Sequence, residues 1–151
     1  MPDVHDKTTR SRNMAAIRGR DTKPELIVRR GLHARGFRFR LHAKNLPGRP
    51  DLVFPKHRAV VLVNGCFWHG HDCPLFKWPA SREQFWHDKI SANIERDIRN
   101  RAALETEGWH VAVVWECALK GRGKTDAGDV IDSLSHWLLT ADTELVIEGF
   151  R

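Results

Sequence analysis

A chain of 151 residues, with 41% hydrophobic and 29% charged side chains, has the size and composition of one folded domain, which argues against a disordered chain. No stretch approaches the roughly 20 apolar residues of a membrane span, and Met1 to Arg20 lack the apolar core of a secretion signal, so a cytoplasmic location is expected. Lys and Arg number 25 against 19 Asp and Glu, a net charge of +6 that favours a phosphate-bearing partner.

Residues 1–20 carry Lys7, Arg10, Arg12, Arg18 and Arg20 against Asp3 and Asp6, a net +3. They read as a basic arm that tracks phosphates and orders on binding. Asp21-Thr22-Lys23-Pro24-Glu25 combines a capping residue with an early proline, so a helix is expected from there to about Arg35, stopped by Gly36. Phe37, Phe39 and Leu41 alternate with Arg38 and Arg40 at strand period. After the turn Leu46-Pro47-Gly48-Arg49-Pro50, strands are expected at 51–54 and 59–63, giving an antiparallel meander. Residues 64–81 form an irregular loop rich in Cys, His, Gly and Pro. A long helix should then run from about Arg82 to Glu107, with Trp86, Ile90, Ile94, Ile98 and Ala102 on one apolar face. A strand at 109–115 and a helix from about Asp126 to Leu139, buried through Val130, Ile131, Leu134, Trp137 and Leu138, complete the pattern. The expected fold is α/β, a mixed sheet with helices packed on it. Residues 21–140 form a single domain in this reading, and 141–151 a C-terminal tail.

Cys66, His69, His71 and Cys73 crowd into eight residues, and Cys117 follows a later strand. An odd number of cysteines argues against a disulfide framework and leaves metal binding or simple burial. A structural zinc takes four soft or borderline ligands, and Cys66, His71, Cys73 and Cys117 supply a Cys₃His set that uses every thiol. Asp51, behind Pro50 at a strand start, is a candidate ligand for Mg²⁺, a hard ion that takes one or two carboxylates. The acid-x-lysine companion that many nucleases place on the next strand is absent from Val60-Val61-Leu62-Val63-Asn64-Gly65.

Several ordered blocks resemble the very short patch repair (Vsr) DNA mismatch endonucleases. They are Val4-His5-Asp6-Lys7-Thr8 through Asn13-Met14, Gly48-Arg49-Pro50-Asp51, Asn64-Gly65-Cys66-Phe67-Trp68-His69, Trp86 through Asn93 to Glu95-Arg96-Asp97, and Trp115-Glu116-Cys117-Ala118-Leu119. The resemblance is collinear over residues 3–124. It implies a restriction-endonuclease-like mixed sheet flanked by helices, with a structural zinc loop. It also implies a DNA endonuclease of the bacterial cytosol that nicks 5′ of the T in T·G mismatches left by 5-methylcytosine deamination. By the same resemblance Asp51 and the carbonyl of Val63 contact Mg²⁺, His69 is the general base, Glu25 and Asp97 hold waters of the metal's outer shell, and Cys66, His71, Cys73 and Cys117 bind zinc. An imidazole suits proton abstraction near neutral pH, in place of the missing lysine. Asn64 stands where the best-known family pattern has histidine, and Val63 where it has threonine; the main-chain contact survives the second change.

The resemblance further implies that Phe67, Trp68 and Trp86 intercalate from one groove and Met14 from the other. Unstacking costs least at a mispair, so such a wedge selects damaged steps. Lys89 and Asn93 follow Trp86 by three and seven residues on one helix face and are candidates for base-edge contacts. The expected partners are mismatched double-stranded DNA and other mismatch-repair proteins, and the expected state is a monomer. Two alternatives share these residues: a nuclease of a restriction or defence system with another target, and a zinc-stabilised DNA-binding module without catalysis. Equal nicking of matched duplexes marks the first, and indifference to Asp51→Ala marks the second.

Overall fold

The computed structural model of the chain describes residues 21–140 and 143–150. The basic arm and Met14 lie outside the described residues.

Thr22 caps the first helix, α1 (Lys23–Ala34), by accepting the Glu25 amide at 3.4 Å, with Pro24 in the first turn. Phe37 and Phe39 do alternate with Arg38 and turn inward onto Phe54. Only Arg40–Leu41 join the ladder as β1, opposite Val53 and Leu52. β2 (Leu52–Phe54) and β3 (Ala59–Asn64) follow, joined by a one-turn 3₁₀ segment at Pro55–His57. The strands β1, β2 and β3 pair antiparallel, as the meander expectation requires.

The loop 65–82 leads into α2 (Glu83–Thr106), and β4 (His110–Trp115) returns parallel to β3. A 3₁₀ turn at Glu116–Ala118 precedes α3 (Ala127–Thr140). The segment read from sequence as a tail carries a further strand, β5 (Leu145–Ile147), which pairs parallel with β4. The result is a five-stranded mixed sheet in the order β1-β2-β3-β4-β5.

Strand alternation assigns side chains to two different layers. Leu52, Phe54, Ala59, Val61, Ala112 and Val114 face α1 and α3, and bury Val28, Leu32, Val130, Ile131, Leu134 and Leu138. Val53, Val60, Val111 and Val113 face the other way and meet Leu104 of α2. The expected apolar face of α2 is corrected here. Ile90 is buried, but Ile94 is 37% and Ile98 58% exposed. A four-residue step overshoots a 3.6-residue turn by about 40°, so Ile94 and Ile98 rotate progressively toward solvent. The stripe turned to the protein is Ile90, Asn93, Asp97, Asn100 and Leu104, at steps of three and four.

Candidate active site and metal centre

Alternation places Asp51, one residue before Leu52, on the α2 side of the sheet. It opens there into a cleft of about 540 Å³ lined also by His42, Arg49, Val63, Asn64, His69, Asp97 and Asn100. The turn before it is tightly wound, with Gly48 at φ +74° and Arg49 at φ +48°. Asp51 Oδ2 accepts the Val63 amide at 2.7 Å across the β2–β3 pair. Burial pushes the Asp51 carboxyl up to about 8; the Val63 amide opposes the rise and the neighbouring Glu25 carboxylate adds to it. A buried carboxyl that resists ionising beside a second carboxylate is one that a divalent cation would relieve. Its hard oxygens and the main-chain carbonyl of Val63 suit Mg²⁺.

Glu25 stands behind this cleft, not in its wall. It is 1% exposed, and its carboxylate accepts Arg29 Nη1 at 2.9 Å and the Asp21 amide at 3.2 Å. His42 Nε2 reaches both Glu25 oxygens, at 3.0 and 3.1 Å. His42 sits at φ +48°, and its own amide donates to the Asp51 carbonyl at 3.1 Å. No motif marked His42; only its place in the turn leading to Asp51 brings an imidazole here. Asp21, Glu25 and His42 lie close enough to hold a cation, but Arg29 already fills that role through both acids.

His69 enters from the loop and Asp97 from α2. Asp97 Oδ2 meets His69 Nδ1 at 2.5 Å, an arrangement that fixes the orientation of the ring. The structure therefore brings Asp51, Val63, His69 and Asp97 to one cleft. The loop reaches it because Gly70, at φ +62°, lets the backbone lie against Ile90 and Ile94, where a Cβ would meet side-chain carbons at 2.8 and 2.6 Å.

Phe67, Trp68 and Trp86 are half-buried and mutually in contact, with ring centroids 5.1 to 5.8 Å apart. Phe67 and Trp68 also line a second cleft of about 710 Å³, which shares Val63, Asn64 and His69 with the first. Lys89 is exposed, whereas Asn93 donates its amide to the Trp68 carbonyl at 2.8 Å. In this state Asn93 holds an aromatic residue in place instead of presenting that donor outward.

Cys66, His71, Cys73 and Cys117 gather their ligand atoms within 4.8 Å of one another. Zinc bonds of about 2.0 Å to nitrogen and about 2.3 Å to sulfur, in a tetrahedron, place N and S about 3.5 Å apart. His71 Nδ1 lies 3.6 Å from the sulfurs of both Cys66 and Cys117. Burial pushes the Cys66 and Cys117 thiols up, a bias that a bound cation reverses. The donor set and its spacing fit zinc. His69, from the same loop, is not among the four.

Comparison with known proteins adds the lineage. The family described as DNA mismatch endonuclease Vsr matches residues 2–75. The DNA mismatch endonuclease Vsr of Escherichia coli is 49% identical over 138 residues, 91% of this chain and 88% of that protein. A type II nicking enzyme of Xanthomonas oryzae is 54% identical over 114 residues, 76% of this chain and 84% of its own. Another, from Neisseria meningitidis, is 45% identical over 122 residues, 81% and 87% of the two chains.

Proposed function

The chain belongs to the Vsr family of DNA mismatch endonucleases and is a DNA endonuclease; from that premise we propose that it makes a Mg²⁺-dependent nick 5′ of the T in T·G mismatches and so serves very short patch repair. The observation that carries the proposal is the convergence of Asp51, Val63, His69 and Asp97 on one cleft beside the Phe67–Trp68–Trp86 cluster. Asp51 and the Val63 carbonyl hold Mg²⁺ in this reading, and the ion supplies charge neutralisation at the scissile phosphate. With Nδ1 engaged by Asp97, His69 takes the proton of the attacking water at Nε2. The water oxygen bonds to phosphorus as the bond to the leaving sugar oxygen breaks. Asp97 stabilises the imidazolium that results. Glu25 acts from behind, its charge felt by Asp51 and its position set by His42 and Arg29. Asp97 and Glu25 thus support the site through protein partners, alongside any contact with outer-shell water.

Phe67, Trp68 and Trp86 form the wedge against the mispair, with Met14 of the arm 1–20 entering opposite. Lys89 is poised for a phosphate or base edge, and Asn93 for a base edge once it releases Trp68. Cys66, His71, Cys73 and Cys117 hold a structural zinc. The five-stranded mixed sheet with helices on both faces is compatible with a restriction-endonuclease-like core, which we propose runs from α1 through β5. Among the described residues no helix is long and apolar enough to cross a membrane.

The relatives named as type II nicking enzymes favour a second reading, a nicking partner of a restriction system. Strand-resolved nicking of paired duplexes, one with T·G and one with T·A at the same site, separates the two. Preference for T·G supports mismatch repair. Equal nicking of both duplexes removes it and leaves the other target.

A further inference from the structure

We infer that the C-terminal strand completes the outer shell of the metal centre: Glu148 holds the His71 imidazole and the Gly149 amide holds the Cys117 sulfur. This inference rests on the zinc reading of Cys66, His71, Cys73 and Cys117.

His71 turns Nδ1 to the sulfurs of Cys66 and Cys117, at 3.6 Å from each. A neutral imidazole that offers Nδ1 as ligand carries its proton on Nε2. That nitrogen faces Glu148 Oε2 at 3.6 Å. At this ion-pair distance the carboxylate favours the proton on Nε2 and leaves Nδ1 to the metal, and a small approach makes it the hydrogen-bond partner that such ligating imidazoles use. The flat side of the same ring stacks on Trp115, with centroids 4.1 Å apart and planes 11° from parallel. The ring is therefore held at its edge by the chain end and on its face by β4.

The second contact is made by backbone. Gly149 N–H donates to Cys117 Sγ at 3.3 Å, which stabilises negative charge on that sulfur. So close an approach requires glycine. A Cβ at 149 would stand 2.1 Å from the Cys117 carbonyl oxygen and 2.7 Å from that of Gly123. Gly123 is confined in the same way, since a Cβ there would stand 1.8 Å from the Phe150 carbonyl oxygen. Phe150 N–H locks the two segments by donating to the Gly123 carbonyl at 2.7 Å. The β4–β5 register, Val114 opposite Ile147, sets Glu148 beside Trp115 and so beside His71. The loop 66–73, the turn at Cys117 and the chain end then close on one point.

The test is zinc release from the metal-loaded 151-residue chain to a chromogenic chelator, read as metal content and release rate. Wild type is expected to carry one zinc per chain. Glu148→Ala and Gly149→Ala should hold it about 10- to 100-fold less tightly. Glu148→Gln keeps an acceptor oxygen and should fall between. Glu144→Ala, an exposed carboxylate lost from the same segment, should match wild type. The Glu148 side chain is 49% exposed, so its replacement sacrifices little packing and decides the matter even if Gly149→Ala does not fold. Wild-type retention in Glu148→Ala overturns the inference while leaving the zinc centre standing. A wild-type chain that binds no zinc overturns both.

Discussion

On one face of the sheet α1 and α3 bury Val28, Leu32, Val130, Ile131, Leu134 and Leu138 against six strand residues. On the other, α2 buries only Ile90 and Leu104 and turns Asn93, Asp97 and Asn100 inward. Full burial of an aliphatic side chain contributes about 1.5–3 kcal/mol, so the first face supplies the larger share of stability. The second face gives up apolar contact to line a cleft with polar and charged groups, to which the proposed mechanism assigns proton transfer. In the proposed mechanism a single sheet thus separates what keeps the chain folded from what acts on DNA, with Asp51 at the seam between them.

The sharpest way to break that division is to change the polar face and look for a loss of stability. His69→Ala should cut single-turnover nicking about 10²- to 10⁴-fold, the range of a lost general base, with its denaturation midpoint nearly unchanged. Asp97→Asn should slow nicking in the same direction. The double variant should be no slower than His69→Ala alone, because Asp97 acts through His69. Leu134→Ala, on the apolar face, should do the reverse, costing about 2–5 kcal/mol in chemical denaturation with nicking retained wherever the chain remains folded.

A smaller effect tests the seam. The folded Asp51 carboxyl ionises near 8, above its ordinary value of 3.8. Between those values the folded chain binds more protons than the unfolded one, so this group makes stability fall as pH rises. With magnesium withheld and zinc kept, denaturation from pH 5 to 9 should show that slope in wild type and a flatter one in Asp51→Asn. Ile98→Ala, on the solvent side of α2, should change stability by no more than about 0.5 kcal/mol.

The apolar face was legible in the sequence because Val130, Ile131, Leu134, Trp137 and Leu138 follow the helical repeat and end up buried together. The same periodicity misled on α2. Isoleucines four apart form a ridge that turns away from the sheet, and the face that packs is partly polar because it borders a cleft. β5 went unread since three residues, Leu145-Val146-Ile147, are too short to announce a strand, and pairing with β4 supplies what local preference does not. The cysteine and histidine set was legible because the chemistry of four ligands uses every thiol. His42 and Glu148 were not, since each acts on a group distant in sequence and matches no spacing pattern.

Asp51 carries the central claim, and single-turnover nicking of a T·G duplex by wild type and Asp51→Ala across a Mg²⁺ titration tests it most directly. The account predicts a Mg²⁺-dependent nick 5′ of the mismatched T from wild type. It predicts none from Asp51→Ala at any Mg²⁺ concentration, with that variant at least as resistant to denaturation at neutral pH once its buried carboxyl is gone. A nick from Asp51→Ala at the wild-type rate would contradict it.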